Sequence, residues 1–514
     1  NFSSRNLKKL VAGHLGEDIS DVNRLKSVIK KAKAIATQEN RRFRWSEIPD
    51  EVMIPYAKMD PDRTMKLWFY FQKPLEKYQV LYQFEKRLVP IICRMMKLGL
   101  KIDRNFCQQK LIEYGKKIDE LYNQMCQYLE EHGIDSTGFK PQSNPQLKKI
   151  AEYLKIDLPR DPKTKRPTTK KDLIEEINHP FFKFNIQYRF YKKHKDTYYG
   201  QLYEYYTNDN SDIAHFDLYQ TGAKSGRFSA ELVQTFPKPR EDKLLGKKHE
   251  VRKCVVPRES KTLVSIDYKQ IEMWLFIHYA NCQEMIKRSS REIDAYYDTA
   301  VLLFGKLMDD EKLQKPLRDG SKHIALGFIF GMGLTKLLRQ LVVLMTDRVG
   351  SKLVKQLNIN DQWGRDVINK FCRLYPVREY MKEQTSLLYR KGYIELEFDS
   401  PLMKFTRDYR VPQDKAYKAV NIRIQGSAAY IIKSAMLRVD EWVRKNKLRG
   451  QVEMLLQFHD ELLFEVDDCL PLKETVRKLV DLLEDHVTFS VPMHAEPKVS
   501  NVNWAEVERI EVFK

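Results

Sequence analysis

The chain has 514 residues, a formal net charge of +20 and a pI near 9.3, with 42% hydrophobic and 31% charged residues. This composition excludes a disordered chain, and the length predicts about three domains at roughly 100–200 residues each. The 90 Lys and Arg residues outnumber the 70 Asp and Glu residues. Such an excess indicates a polyanionic partner, because neutralising phosphates releases condensed counterions. A merely basic surface is the alternative explanation.

The seven cysteines are scattered, without zinc-ligand spacing or a disulfide framework, which is typical of a reducing compartment. No apolar run approaches the roughly 18–20 residues of a membrane span, so we expect no membrane partner. The strongest run, Leu341–Met345, is interpreted as a core segment. The chain starts at Asn1 without a signal-peptide pattern, and we expect it to be a fragment of a longer protein.

The first half of the chain has mainly helical patterns. A Lys-rich helical region runs from about Leu75 to Tyr206, and it is interrupted at Gly99–Asp103 and by a loop from about Pro159 to Lys171. A charged loop of this kind is usually solvated surface, and phosphate contact is the sharper alternative. The cations at its tip include Lys163, Lys165 and Arg166.

From Leu263 onward, short apolar runs predict strands separated by helices. The first run ends in Asp267, and a helix is predicted to begin near Gln270. A carboxylate at the end of a buried strand costs free energy unless a cation meets it. Taken alone, Asp267 is more simply interpreted as the N-cap of the helix.

A second acidic segment lies between two strand-like runs within residues 452–466. These runs predict a hairpin with His459, Asp460 and Glu461 at its tip. Paired acids at a turn are commonly solvated, but two strand-end carboxylates in a basic protein would bind hard divalent cations through oxygen. Two such ions about 3.5–4 Å apart would stabilise the attacking and leaving oxygens of an in-line phosphoryl displacement.

A third segment has four residues spaced by four, which predicts one stripe along a helix: Arg318, Lys322, Leu326 and Phe330. The stripe begins cationic and becomes apolar. It suits a nucleoside triphosphate, with phosphates on the cations and the helix N-terminus and the base at the apolar end. The alternative, an ordinary amphipathic helix, does not explain why cations and apolar groups share one face.

These segments resemble motifs A, B and C of the family A (DNA polymerase I-like) DNA polymerases, in that chain order. Motif A of the family reads roughly Asp-Tyr-Ser-Gln-Ile-Glu, and residues 267–272 here read Asp-Tyr-Lys-Gln-Ile-Glu. Motif C is His-Asp-Glu, matched by residues 459–461. Motif B has an Arg, a Lys four residues later, then Phe-Gly and Tyr-Gly, where this chain has Arg318, Lys322, Leu326-Gly327 and Phe330-Gly331.

Weaker matches extend the resemblance over nearly the whole chain. Residues 225–230 (Ser-Gly-Arg-Phe-Ser-Ala) resemble a segment that contacts template and primer, and residues 421–429 resemble a helix that faces the nascent minor groove. Near the N-terminus, Tyr56 and Asp60 resemble the third motif of the family's 3′–5′ exonuclease domain. Its other metal-binding acids would lie before Asn1, so we expect no proofreading by this polypeptide.

The resemblance implies a role for each matched residue. Asp267 and Asp460, assisted by the Tyr268 carbonyl, would ligate two Mg²⁺ ions, for which Mn²⁺ may substitute. The implied catalytic set is Asp267, Asp460, Lys322 as a candidate proton donor, and Glu461. Glu272 would be a steric gate against a ribose 2′-OH, within a dNTP-binding set of Arg318, Lys322, Leu326, Phe330, Gln270, Ile271, Glu272 and Tyr296. The implied DNA-binding set is Arg227, Gln234, Arg252, Asn421, Gln425, His459, Lys163, Lys165 and Arg166.

Three nucleotide-site residues depart from the family pattern. Leu326 stands where a Phe is usual, Phe330 where a Tyr is usual, and Tyr296 where a His commonly approaches the triphosphate. The metal residues are unchanged, so the chemistry is expected to survive while nucleotide selectivity is less secure. Such divergence is more typical of a viral (phage) or otherwise specialised polymerase than of a housekeeping bacterial repair enzyme. We expect a cytoplasmic protein, which would act in the cytoplasm of a bacterial host if it comes from a phage and is intracellular in any case.

The implied fold is α+β, a right hand with an antiparallel palm sheet, helical fingers and a helical thumb, preceded by the C-terminal remnant of an RNase H-like exonuclease domain. The expected ranges are 1–78 for the exonuclease remnant, 79–104 for the palm entry, 105–205 for the thumb, 206–275 for the palm with motif A, 276–420 for the fingers, and 421–514 for the palm with motif C.

The implied function is template-directed addition of deoxynucleotides to a primer 3′-OH with release of pyrophosphate. Primer–template DNA, dNTPs and replisome or processivity proteins are the expected partners. A single-subunit RNA polymerase is one alternative, against which Glu272 and the exonuclease-like segment argue. A catalytically silent DNA-binding replisome protein is another, but it would not need Arg318 and Lys322 together with both metal aspartates.

Overall fold

The computed structural model describes residues 6–39, 41, 43–161, 164–174, 177, 179–204, 211–230, 232–239, 241–242, 247–400, 403–484 and 489–513. The chain divides into two compact units, Asn1–Gln83 and Phe84–Lys514. In these described ranges no helix has the length and apolar character needed to cross a bilayer.

The first unit is helical, as the sequence predicted. It contains α1 (Leu7–Leu15), α2 (Ser20–Gln38) and α3 (Asp50–Glu76). The Asn6 side chain caps α1 by accepting a hydrogen bond from the Lys8 amide at 3.1 Å, which satisfies an N–H group that the helix leaves free. Its small core contains Leu25, Ile48 and Val52.

The second unit begins within α4 (Gln79–Leu98) and is helical up to residue 204. The helices that follow are α5 (Arg104–Glu131), α6 (Asn144–Tyr153), α7 (Lys171–Ile174), α8 (Pro180–Lys193) and α9 (Gly200–Glu204), with a π-helical turn at His194–Tyr199. Apolar side chains of α5, α6 and α8 form their own core, including Met125, Leu147 and Phe181. These three helices lie in the range 105–205 that is expected for the thumb, apart from Arg104.

Short strands connect these helices to the central sheet. They are β1 (Leu100–Lys101), β2 (Ile213–Ala214), β3 (Leu218–Tyr219), β4 (Ser229–Ala230), β5 (Glu241–Asp242) and β6 (Lys247–Lys248). Each is paired antiparallel with one other strand: β1 with β2, β3 with β4, and β5 with β6. The β3–β4 pair closes a loop of residues 220–228, which we call the Arg227 loop. It includes the first four residues of the segment 225–230 that is predicted to contact template and primer.

The palm sheet has five antiparallel strands in the order β10-β11-β7-β12-β13. They are β7 (Lys261–Tyr268), β10 (Val452–Phe458), β11 (Glu461–Asp467), β12 (Ala495–Ser500) and β13 (Glu508–Arg509). Leu263, Val264 and Ile266 of β7 are fully buried, because this central strand is covered on both faces. The predicted strand ending in Asp267 and the predicted hairpin around residues 459–461 are both confirmed.

The chain after β7 forms α10 (Ile271–Tyr279), α11 (Gln283–Arg288), α12 (Ala295–Phe304), α13 (Glu311–Ile329), α14 (Leu334–Leu357), α15 (Asp361–Leu374) and α16 (Val377–Lys391). The hairpin β8 (Ile394–Ser400) and β9 (Met403–Tyr409) follows. These elements cover most of residues 276–420, the range expected for the fingers. Leu341 and Met345 of α14 are fully buried, which confirms that the strongest apolar run is a core segment.

Two glycines allow α14 to lie close against α13. A Cβ atom on Gly320 would lie 2.9 Å from the Met345 sulfur, and one on Gly327 would lie 2.8 Å from a Leu337 methyl group. A larger side chain at either position would require the Met345 or Leu337 side chain to move.

The last helices, α17 (Ala419–Lys445) and α18 (Leu472–Glu484), pack against the palm. Helix α17 contacts α10, α18 and β8, and most of its middle turns are buried. Its Tyr430 ring lies 4.9 Å from Phe405 of β9 and 5.8 Å from both Phe398 of β8 and Phe84 of α4. This aromatic cluster joins the β8–β9 hairpin to α17 and α4.

Candidate active site

The two predicted metal-binding aspartates lie side by side at one end of the palm sheet, where β7 ends and β11 begins. Asp267 lies directly across from Glu461 in the β7–β11 register, and Asp460 precedes Glu461 in the turn. The Tyr268 amide donates a hydrogen bond to the Asp460 carbonyl at 3.1 Å. The Tyr268 side chain points elsewhere, because its hydroxyl donates to the Leu483 carbonyl at 2.7 Å. The strand register therefore brings motifs A and C together.

Asp267 is held where a bare carboxylate is unfavourable. One of its oxygens, Oδ1, is buried and lacks a hydrogen-bond partner within the described part of the chain. Burial and the neighbouring Asp460 carboxylate raise the pKa of Asp267 to about 7. The exposed Lys238 ammonium lies 3.6 Å from the other oxygen, Oδ2, and offsets only part of this effect. The interpretation of Asp267 as a helix N-cap was wrong, because Gln270 is the N-cap of α10.

A buried oxygen without a donor, beside a second carboxylate, fits a divalent cation with oxygen ligands. Asp267 and Asp460 supply carboxylates, and adjacent backbone carbonyls would add neutral oxygens. Within the residues that the structure describes, no group of three or more His, Cys, Asp or Glu side chains is arranged as a metal site.

The Glu461 carboxylate is engaged inside the palm. Its Oε1 accepts hydrogen bonds from the Ser265 hydroxyl at 2.6 Å and the Trp504 indole N–H at 2.7 Å. Its Oε2 lies 3.5 Å from the Arg252 guanidinium, which lies over the rings of Phe458 and Trp504. Burial lowers the pKa of Arg252. Sequence reasoning did not identify these partners, since all three lie far from Glu461 in the chain.

The cationic end of the α13 stripe lies over an aromatic ring. Arg318 and Lys322 lie 5.6 Å and 5.5 Å from the centre of the Tyr296 ring, which is 1% exposed. Burial raises the pKa of the Tyr296 phenol well above its ordinary value. Arg318 also donates to Asp294 Oδ2 at 2.7 Å, and Asp294 caps α12 through its other oxygen. Asp294 is a site residue that the sequence analysis missed, although its N-cap position before Ala295 was a usable signal.

The apolar end of the stripe borders a cavity of about 850 Å³ between α13 and the start of α14. Lys322, Leu326 and Phe330 line it, together with His323 and Lys336. The predicted stripe is confirmed as one face of a helix, and Phe330 is the C-cap residue of α13. A volume of this size accommodates a nucleotide-sized ligand.

Glu272, the proposed steric gate, forms an ion pair with Arg227. The Arg227 guanidinium donates to Glu272 Oε1 at 2.6 Å, and both side chains are partly exposed. Motif A and the Arg227 loop are thus joined at the first turn of α10. Ile271 is buried in that turn, and Gln270 precedes it with a positive φ of 56° and a side-chain amide that lacks a partner among the described residues.

The residues predicted to contact DNA lie in several places. Gln234 donates to the Gln457 carbonyl of β10 at 2.9 Å, and exposed His459 forms the turn beside Asp460. Asn421 and Gln425 lie one helical turn apart on α17, both half-buried. Lys165 and Arg166 are exposed in the thumb loop, and Lys163 lies outside the described residues.

In the first unit, Tyr56 and Asp60 lie close together on α3. Both contact Lys8 of α1: its ammonium forms an ion pair with Asp60 and lies 4.3 Å from the Tyr56 ring centre. Lys8 therefore supplies a positive charge to Asp60.

Three comparisons with known proteins bear on this site. The model of the family described as DNA polymerase family A matches residues 104–506. The chain is 29% identical over 448 residues to DNA polymerase I of Caldicellulosiruptor bescii, covering 84% of this chain and 48% of that protein. It is 27% identical over 489 residues to DNA polymerase I of Pseudomonas aeruginosa, covering 92% and 50%. The chain thus spans about half the length of the curated relatives it matches.

A solved structure shows the same fold. The POL domain of Pol1 from M. smegmatis, in complex with DNA primer-template and dNTP, aligns with a TM-score of 0.73 and 22% identity, covering 99% of this chain and 80% of that one. The predicted α+β class and polymerase-domain fold are confirmed.

Proposed function

The chain belongs to DNA polymerase family A, and on this basis we propose that it extends a primer 3′ end with deoxynucleotides along a DNA template. The observation that carries the proposal is the Asp267 carboxylate, which is half-buried beside Asp460 and has one buried oxygen that lacks a donor among the described residues. A cation at that end of the sheet would relieve the repulsion between the two carboxylates. The Arg318 and Lys322 face of α13 supplies the charge that a triphosphate requires.

We propose that Asp267 and Asp460, with the Tyr268 carbonyl, hold Mg²⁺, and that Mn²⁺ can replace it. When bound, a pair of such ions would lower the pKa of the primer hydroxyl and neutralise charge on the leaving pyrophosphate. Glu461 acts indirectly in this proposal. Its hydrogen bonds from Ser265 and Trp504 hold the β11 end in register with β7, which orients Asp460.

The incoming nucleotide is proposed to lie along α13. Arg318 and Lys322 bind its phosphates, and Lys322 donates a proton to the pyrophosphate as it leaves. The Tyr296 ring stabilises the charged side chains of Arg318 and Lys322 by cation–π attraction. Leu326 and Phe330 contact the sugar and base at the apolar end.

Glu272 is proposed to exclude ribonucleotides by its bulk, while Gln270 and Ile271 complete the turn that positions it. Arg227 orients the Glu272 carboxylate through their 2.6 Å contact and approaches the primer end.

The remaining proposed DNA contacts are Gln234, Asn421, Gln425 and His459 near the primer terminus, with Lys163, Lys165 and Arg166 on the duplex backbone. Phosphate contacts of this kind position DNA without recognising its sequence. Arg252, expected from the resemblance to contact DNA, is left out of the proposed contacts because its guanidinium is buried beside Glu461. The scattered free cysteines and the use of dNTPs fit action in the cytoplasm. Replisome or processivity proteins are proposed as further partners.

Primer extension on a DNA template with Mg²⁺ tests the proposal. We expect extension with dNTPs but not rNTPs, and a loss of at least about 10²–10³-fold in kcat for Asp267→Ala, the scale observed when a preorganised electrostatic group is removed. Asp399→Ala is the matched control, since Asp399 is an exposed strand-end aspartate paired with Lys404. It should extend primers normally.

Each other outcome identifies a different function. Extension with rNTPs would support the RNA polymerase alternative and contradict Glu272 as a gate. Tight DNA binding without extension would support the DNA-binding replisome protein. Normal extension by Asp267→Ala would refute the metal-site assignment.

A further inference from the structure

A lysine, Lys433, is buried in the middle of α17. Lys433 has no exposed surface, and its ammonium contacts Glu85 Oε1 and Oε2 at 2.7 Å and 2.9 Å. The ammonium also lies 5.3 Å from the ring centres of Phe228 and Tyr430. A buried ammonium costs several kcal/mol unless it is paired, and even a paired one is often no more stable than an apolar replacement. Stability alone therefore does not account for Lys433.

The third partner of Lys433 belongs to the Arg227 loop. The ammonium donates to the Gln220 carbonyl at 3.3 Å, and the Gln220 side-chain amide donates to the Glu85 carbonyl at 2.7 Å and to the Glu85 carboxylate. Lys433, Glu85 and Gln220, the Lys433 cluster, thus join α17 and α4 to the first residue of the loop.

The middle of the same loop is fixed by β9. Arg407 donates to the Lys224 carbonyl at 3.4 Å, and the Tyr409 hydroxyl donates to the Ser225 carbonyl at 3.1 Å. Gly226 follows with a φ of +85°, and a Cβ atom there would lie 2.7 Å from an Arg407 nitrogen. The backbone is therefore held closely up to the residue before Arg227.

The loop then turns toward the nucleotide site. Arg227 leaves the backbone that these contacts hold and reaches Glu272 at 2.6 Å. Arg407 and Lys433 contact the loop backbone, whereas Arg227 contacts Glu272 of motif A, beside the site where primer and nucleotide would meet.

We propose that Lys433, together with Glu85, is a positioning residue that fixes the start of the Arg227 loop and thereby aligns Arg227 with the primer end and with Glu272. This inference rests on the proposed polymerase function. Without the Lys433 cluster the loop keeps its β9 contacts but loses its connection to α4 and α17. Arg227 then samples several positions, and displacements of about 1 Å in such groups cost up to about 10²-fold in rate.

The main test variant is Lys433→Met/Glu85→Met, because replacing both members leaves no unpaired buried charge. We expect kcat for dNTP addition to fall by about 10- to 100-fold and discrimination against rNTPs to weaken. We also expect faster amide hydrogen exchange in residues 218–230. The matched control is Lys445→Met/Glu441→Met, which removes an exposed Lys–Glu pair from the same helix. It should change none of these quantities.

Combination with Arg227→Ala distinguishes positioning from a general structural effect. If Lys433 acts through Arg227, adding Lys433→Met/Glu85→Met to Arg227→Ala causes little further loss of kcat, whereas independent effects multiply. Gln220→Ala, which leaves the buried pair intact, should reproduce the loss in part and provides the test if the double variant does not fold.

Failure of the inference is separable from failure of the proposed function. If the wild type extends primers and the double variant matches it in kcat and in loop exchange, Lys433 does not position Arg227. Multiplicative losses in the triple variant would overturn the inference as well. If the wild type extends no primer, the polymerase proposal fails, and unchanged exchange in residues 218–230 would independently refute the loop attachment.

Discussion

Removing the Glu85 carboxylate should destabilise the protein by an amount that depends on pH. In the folded wild type, burial lowers the pKa of Lys433 to about 8 from its ordinary value of 10.5, with Glu85 opposing this effect and Arg407 adding to it. The unfolded chain therefore binds more protons than the folded chain between about pH 8 and 10.5. It follows that this group makes the wild type more stable as the pH rises through that window.

The Glu85→Gln variant should lower the pKa of Lys433 further, until the amine is neutral in the folded state. Protonation of Lys433 stabilises the folded wild type relative to the variant only below about pH 8, by about 1.4 kcal/mol of unfolding free energy for each pH unit. We therefore expect the variant to lose about 3 kcal/mol of unfolding free energy at pH 6, about 1 kcal/mol at pH 7, and almost none at pH 9.

Urea unfolding at pH 6, 7, 8 and 9, followed by tryptophan fluorescence, measures this difference. Glu441→Gln, which removes the acid of an exposed pair, is the control and should cost less than about 0.5 kcal/mol at every pH. A loss of 3–5 kcal/mol that is the same at every pH would refute the reasoning, because it would mean that Lys433 stays charged without its partner. Equal stability at pH 6 would show that the pair is not effectively buried.

Three further predictions concern the active site. In steady-state kinetics, Tyr296→Leu should raise the KM for dNTP by about 2- to 30-fold, the range of a cation–π contribution. Tyr296→Phe, which keeps an aromatic ring, should leave this KM unchanged. An equal KM for the two variants would contradict the role of the ring. Glu461→Ala should lower the free energy of unfolding in urea by about 3–5 kcal/mol, because Arg252 is left buried without its carboxylate partner. A variant of unchanged stability that requires more Mg²⁺ for activity would instead place Glu461 at the metals. Mg²⁺ at a hundredfold excess over its Kd should stabilise the wild type against unfolding by about 2.7 kcal/mol, and Asp267→Asn by much less. An equal shift in melting temperature for the two proteins would argue against this metal site.

The local patterns of the sequence were sufficient for the elements that carry the chemistry. The apolar run before Asp267 and the fourfold spacing from Arg318 to Phe330 each depend on one strand or one helix, so their periodicity predicts them directly. The hairpin at residues 459–461 was also predictable, because its two strands are adjacent in the chain.

What the sequence did not reveal depends on contacts between distant segments. The sequence pattern places Glu461 at the tip of a hairpin, but it starts β11 and is buried against Ser265 and Trp504. Lys433 and Glu85 are 348 positions apart, and no local signal marks either one. The αL conformation that makes Gln270 the N-cap of α10 was equally unpredictable, because glutamine rarely adopts it.

The close packing at Gly320 and Gly327 has a mechanical consequence. The ends of the Met345 and Leu337 side chains fill the space beside these glycines, so a shift of α13 along α14 requires both side chains to change conformation. Lys322 of α13 and Lys336 of α14 line the same cavity, and the packing between the two helices therefore sets the distance between its walls. Substitutions at Leu337 or Met345 offer a way to change the shape of the cavity while Arg318 and Lys322 keep their identities.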